Sequence, residues 1–132
     1  TQMNENAKLH AFWCPLPEGN HNEIVGWEGS PAAPFRPVFI RGSEEPDYVA
    51  ARIEYWKSML KARGIDTLEV RGVPEGRLAE ILTLLLRLDI VSYFTALLRG
   101  VDPTPVATIS GLKKYIEERT GFRSLVESWL TD

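Results

Sequence analysis

"PVFIRGSEEPDYVAARIEYWKSMLKARGIDTLEVR", residues 37–71, decides the fold. "PVFIR" (37–41) is short, β-branched and aromatic, which suits a strand. Pro46 fits a first helical turn, and Glu44, Glu45 and Asp47 favour the positive end of a helix dipole. Val49, Ile53, Trp56 and Leu60 recur at helical spacing and form one apolar stripe. Gly64 ends this helix, with Lys61 and Arg63 beside its negative end. "TLEVR" (67–71) is the second strand. A strand, a helix and a strand at this spacing predict a parallel pair joined by a right-handed crossover.

Downstream, Arg77 to Arg99 reads as a long helix, apolar nearly all round and therefore expected to be buried on several sides. In a short chain, a partner subunit or a missing domain would cover part of it. "GVDPTPV" (100–106) is a turn. Ser110 to Glu118 reads as a helix with "LKK" near its start, and Phe122 to Leu130 as a last amphipathic helix. Upstream, Lys8 to Trp13 reads as a strand ended by Pro15 and Pro17. Asn20 to Trp27 reads as a short helix, with Asn20 as N-cap and Glu23 completing a capping box. Gly29 to Pro37 is a linker rich in Pro, Gly and Ala. The order predicts a three-layer α/β domain with a small parallel sheet.

Composition narrows the function. The 132 residues suit one domain, and 44% hydrophobic residues are enough for a core. A net charge of -3 gives no electrostatic footprint for nucleic acid or an anionic membrane, but leaves room for a local basic pocket. The single cysteine, Cys14, excludes an intrachain disulfide and suits a reducing, cytoplasmic setting. Thr1 opens a polar segment unlike a signal peptide. Glu80, Arg87 and Asp89 interrupt the most apolar stretch and count against a membrane span. The start without an initiator methionine reads as a piece of a longer chain.

The candidate residues have alternative readings. Glu5 precedes the first apolar run and His21 follows it, 16 positions on. A carboxylate moves a proton on carbon, and an imidazole handles a hydroxyl proton near neutral pH. From spacing alone, a surface carboxylate and a loop histidine are the simpler readings. Glu23 is a second acid or a cap. His10 is a packed strand histidine; with His21 it suggests zinc, but no third ligand has metal-like spacing. Cys14 lacks an activating base and reads as buried and inert. "IRGSEE" (40–45) has the outline of a phosphate turn. Glu44 and Glu45 would repel an anion there, so the turn reads as structural. Lys113 and Lys114 are adjacent on a helix and point in different directions; either reaches a substrate oxygen, or both are solvated.

Read together, these residues carry a resemblance. "NENAK" (4–8) followed by "LPEGNHNEIVGW" (16–27) resembles the second sugar isomerase (SIS) domain of the bifunctional phosphoglucose/phosphomannose isomerases. "LRGVDPTPVATISGLKKYI" (98–116) is similar to that family's C-terminal signature. The resemblance implies a three-layer, flavodoxin-like SIS fold over residues 1–132, as a single C-terminal domain of a longer two-domain chain. It implies reversible isomerisation of glucose 6-phosphate or mannose 6-phosphate to fructose 6-phosphate through ring opening and a cis-enediol. No cofactor or metal is implied, and the expected assembly is a homodimer with active sites at its interface.

By resemblance, Glu5 matches the base that moves a proton between C1 and C2. His21 matches the ring-opening histidine, which reaches the neighbouring subunit's site. Lys113 matches the lysine at the ring oxygen, with Lys114 one position away. The family's N-terminal SIS domain, with its Ser/Thr-rich phosphate loop and an arginine for enediolate charge, has no counterpart here. Residues from about Arg119 onward extend past the expected end of the family. The rival readings are a non-catalytic sugar-phosphate-binding or dimerisation module and a flavodoxin-like signalling domain. The latter would need a carboxylate cluster at strand ends.

Overall fold

The computed structural model describes residues 2–29 and 35–130. Helix α1 (Gln2–Glu5) leads through two 3-10 turns, Glu18–Asn20 and Val25–Trp27, to β1 (Val38–Arg41). Then follow α2 (Asp47–Ala62), β2 (Leu68–Arg71), α3 (Arg77–Leu98), α4 (Ala107–Thr120) and α5 (Phe122–Trp129). The strands pair in parallel, Val38 opposite Leu68 and Arg41 opposite Arg71. The α/β class and the β-α-β unit are as the sequence predicts. Most of the expected linker, residues 30–34, lies outside the described residues.

Periodicity builds the core. Phe39 points inward from β1, and Ile53, Trp56 and Leu60 line one face of α2. Phe39 meets Trp56 edge-on, with ring centroids 5.9 Å apart. Gly64, at φ +73°, ends α2 in a Schellman motif: its N–H donates to Lys61 O, and the Ile65 N–H donates to Leu60 O. The motif turns Ile65 back onto Leu60 in the same core. Cys14, Leu16, Ile24 and Trp27 pack against it from upstream. Gly19 makes this docking possible, because a Cβ there would lie 2.7 Å from Cys14 Sγ and 3.3 Å from Trp56.

Three expectations need correction. Lys8 to Trp13 is not a strand. Lys8 adopts φ +51°, which breaks extension at its first residue. The Asn4 amide then takes the place of a partner strand: Ala11 N–H donates to Asn4 Oδ1 (2.6 Å) and Asn4 Nδ2 donates to Ala11 O (3.2 Å). Asn20 to Trp27 is not a capped helix: Asn20 ends the first 3-10 turn, a hydrogen-bonded turn follows, and Val25–Trp27 is the second, while buried Asn20 Oδ1 has no partner among the described residues. His10, expected to be packed, is exposed and stacks on Phe12.

The long helix also differs from expectation. Only Ser92 and Ala96 of α3 are buried, while Leu82, Leu85, Leu86, Phe94 and Leu98 are exposed. By length and composition α3 could cross a membrane. Its polar side chains instead tie it to the rest of the fold. Glu80 accepts the Ser43 N–H, Arg87 donates to Arg71 O (2.9 Å), and Ser92 accepts from Asn6 (2.8 Å). The outer residues of the sheet, Val38, Ile40 and Leu68, are likewise exposed.

A charge cluster staples the β-α-β unit. Arg41, 4% exposed, pairs with Glu45, with Glu54 (2.7 Å) and with Glu69 (3.2 Å). Lys57 bonds Glu69 at 2.9 Å and Glu54 at 3.3 Å, and Arg71 bonds Glu69 at 2.7 Å. The Lys57 bond, then those of Arg41 and Arg71, hold the Glu69 carboxyl down to about 2 against the opposing effect of desolvation. A carboxyl depressed by folding stabilises the fold fully above its unfolded pKa, and that contribution is lost as pH falls through the folded pKa. Denaturant midpoints of the wild-type chain and Glu69→Gln should therefore converge as pH falls from about 4.5 towards about 2. A gap that stays constant across that window would contradict the pairing.

Candidate functional site

In Asn4–Lys8, three polar side chains have structural partners and one does not. Asn4 secures Ala11, and Asn6 Nδ2 donates to Ser92 Oγ, which itself donates to Asp89 O (2.7 Å). Ala7 is fully buried. Lys8 Nζ donates to Glu5 O (2.5 Å), Pro105 O (2.8 Å) and Pro103 O (3.4 Å). The Glu5 carboxylate is exposed and takes no hydrogen bond or ion pair among the described residues.

Lys8 thus joins the two ends of the sequence, and the turn it reaches is built to receive it. Gly100, at φ +66°, ends α3 in a second Schellman motif, with Gly100 N–H on Leu97 O and Val101 N–H on Ala96 O. Thr104 N–H donates to Asp102 Oδ1 at 2.8 Å, closing an Asx turn. The Thr104 bonds, with Lys8 nearby, hold the Asp102 carboxyl below the usual range. The carbonyls of Pro103 and Pro105 converge on the ammonium, and α4 begins two residues later.

On α4 the adjacent lysines separate. Lys114 pairs with Glu118 one turn on (3.7 Å), whereas Lys113 has no ion pair among the described residues. The tail folds back on this helix. Arg123 N–H (2.8 Å) and Ser124 Oγ (3.3 Å) donate to the Glu117 carboxylate. A depression of about 510 Å³ lies between α4 and α5, with Lys113, Phe122 and Arg123 in its wall. Lys113 remains exposed beside the tail.

His21 shares no hydrogen bond with these groups among the described residues. It follows the first 3-10 turn, its N–H bonded to Glu18 O, with the imidazole exposed and unpartnered among the described residues. Its segment rests on the β-α-β core through Leu16, Ile24 and Trp27. Hydrogen bonds therefore link the Glu5 segment to the turn before α4, and none among the described residues links either to the His21 side chain. Burial, then the Glu23 charge, push the half-buried Cys14 thiol up, in keeping with an inert cysteine. The "IRGSEE" turn is also structural: Glu80 occupies the Ser43 amide and Glu45 pairs with Arg41. No group of three metal-ligating side chains occurs among the described residues.

Comparison with known proteins gives the family of the chain. The family described as bacterial phospho-glucose isomerase C-terminal SIS domain matches residues 1–116. The chain belongs to this family. The match ends inside α4, so the last residues of α4 and all of α5 lie beyond it, close to the limit expected at Arg119.

Among the SIS-domain relatives, the chain is 35% identical over 119 residues to the bifunctional phosphoglucose/phosphomannose isomerase of Aquifex aeolicus, covering 89% of this chain and 37% of that protein. It is 34% identical over 120 residues to the enzyme of that name from Caldicellulosiruptor bescii, covering 89% and 35%. A shorter match, 36% over 66 residues, is to a D-glucosamine-6-phosphate 4-epimerase of Sulfolobus acidocaldarius, covering 46% and 22%. The chain spans about a third of the length of the isomerases it matches. No solved structure matches.

Sequence reasoning singled out Glu5, His21 and Lys113 in this SIS domain but missed the supports around them. Asn6 and Lys8 stand in the same motif as Glu5, yet their partners lie 86 to 97 residues away. Their polar identity beside buried Ala7 was the available signal.

Proposed function

We propose that this chain is the C-terminal part of a cytoplasmic aldose-ketose isomerase that interconverts glucose 6-phosphate or mannose 6-phosphate with fructose 6-phosphate. The observation that carries the reading is the Asn4–Lys8 segment. Its other polar side chains are occupied in holding the backbone, and its one carboxylate is left free. The same segment is fastened to the turn that starts the Lys113 helix. The names of the relatives support a sugar 6-phosphate as substrate.

In the proposed reaction, His21 takes the C1 hydroxyl proton while Lys113 delivers a proton to the ring oxygen, and the pyranose opens. Glu5 removes the C2 proton to give an enediolate, protonation at O1 makes it the cis-enediol, and Glu5 returns a proton at C1 as O2 loses its own. Lys113 fits better than Lys114, whose ammonium is directed to Glu118. The proposal includes a homodimer in which His21 serves the neighbouring subunit's cleft, as the resemblance implies.

An N-terminal SIS domain supplies the phosphate loop and an arginine for enediolate charge. That domain and the second subunit cover the apolar faces of α3 and the sheet. The reading needs no cofactor. The 132-residue chain alone should not convert fructose 6-phosphate in a coupled assay, and extension upstream should restore turnover. Robust turnover by the chain alone would contradict the reading. Binding of fructose 6-phosphate without turnover in the extended protein would favour a non-catalytic sugar-phosphate-binding or dimerisation module.

A further inference from the structure

The geometry points to Lys8 as the residue that positions the Glu5 carboxylate, an inference that rests on Glu5 being the base. An ammonium has three N–H donors and no acceptor. Those of Lys8 are directed at three carbonyls, Glu5 O at 2.5 Å, Pro105 O at 2.8 Å and Pro103 O at 3.4 Å. A lysine so engaged has no N–H left for a substrate, so it acts as a strut and not as an acid.

Each end of the strut has a physical reason. Helix α1 has four residues, too few to hold a side chain in place unaided. The Glu5 carbonyl is one of its terminal acceptors without an intrahelical partner, and Lys8 takes it. Reaching back three residues requires a reversal of the chain. Lys8 provides it at φ +51°, a conformation costly for a residue with a Cβ, fixed by the Leu9 N–H on Met3 O at 3.2 Å. The other end is stiff as well: Pro103 and Pro105 have fixed φ, Asp102 closes the Asx turn, and Gly100 closes the helix before it. Asn6 supplies a second tie, to Ser92 on α3. The segment that carries Glu5 is therefore held at two points on different elements, helix α3 and the turn before α4.

Position matters because one carboxylate must reach both C1 and C2. A base acts only within hydrogen-bond reach of the proton it moves. A misplacement of about 1 Å costs up to about 100-fold in rate.

The test compares Lys8→Met, Lys8→Arg and Glu5→Gln in the protein extended upstream, together with amide hydrogen exchange. Lys8→Met should lower kcat for glucose 6-phosphate by about 30-fold, with KM changed less than about threefold; losing the three bonds should also lower the melting temperature, as for loss of the Asn6 tie. Lys8→Arg, which keeps several donors on one cation, should recover much of the loss. Amides of residues 3–9 and 101–106 should exchange faster together in Lys8→Met.

If Lys8→Met keeps wild-type kcat while Glu5→Gln is inactive, Glu5 is the base and Lys8 does not position it. If Glu5→Gln keeps its activity, the base assignment fails and this role falls with it. A loss confined to KM, or one that Arg does not relieve, also overturns the positioning role.

Discussion

Glu5→Gln, in the protein extended upstream, should lower kcat for glucose 6-phosphate isomerisation by about 10² to 10⁴-fold, the range supplied by a positioned general base. The substitution keeps the size and shape of the side chain and removes its ability to accept the carbon-bound proton. KM should stay within about threefold, because the proposed contacts to the phosphate lie elsewhere. Stability should hardly change, since the Glu5 carboxylate makes no hydrogen bond or ion pair among the described residues. Steady-state kinetics with both sugar phosphates, beside a thermal melt, gives this comparison. The neighbouring Asn6→Ala would behave differently. It breaks the Asn6–Ser92 bond, so the melt would move with the kinetics.

The second large effect is on stability. Arg41→Met should destabilise the chain by about 3–5 kcal/mol, the cost of removing one partner from a buried ion pair. Arg41 is the only buried cation of its cluster among the described residues, and three carboxylates converge on it. Glu45 would lose the cation it pairs with, and Glu69 would keep Lys57 and Arg71. Changing Arg41 and Glu45 together to apolar residues should restore part of the loss, because the half-buried Glu45 carboxylate is then not left without its cation. Urea denaturation of the two variants checks both statements. A loss below about 1 kcal/mol for Arg41→Met would mean that the cluster behaves like an ordinary surface network.

What was legible in the sequence, and what was not, follows from the range of the interactions. The β-α-β unit was legible because its signals are local. The apolar stripe of α2 repeats every turn, and Gly64 closes the helix within five residues of Leu60. The region from Lys8 to Trp27 was misread because side-chain bonds and packing that leave no periodic pattern override local preference there. A strand needs a neighbour, and the edge of Ala11 is instead occupied by Asn4. Helix α3 was placed correctly but its burial was not. Apolar composition identifies a surface that requires cover, without naming the element that supplies it.

The site divides in the same way. Glu5, His21 and Lys113 were singled out by the resemblance of two short motifs, while their spacing alone favoured no catalytic role. The contact that joins these motifs, from Lys8 to Pro103 and Pro105, spans some 95 residues and leaves no periodic trace in the sequence. By spacing alone Lys113 and Lys114 were equivalent, and the resemblance matched Lys113. Each has a glutamate one turn on, but Glu117 is taken by Arg123 N–H and Ser124, so only Lys114 is paired, with Glu118.

The central claim is that Glu5 carries the proton between C1 and C2, and deuterium exchange tests it most directly. Fructose 6-phosphate is incubated in D₂O with the extended protein or its Glu5→Gln variant, and label at C1 is followed by NMR. The wild type should incorporate deuterium at C1, because a proton held on a carboxylate exchanges with solvent before it returns. Glu5→Gln should bind fructose 6-phosphate and incorporate none above the rate without enzyme. Incorporation at the wild-type rate by Glu5→Gln would show that another group is the base.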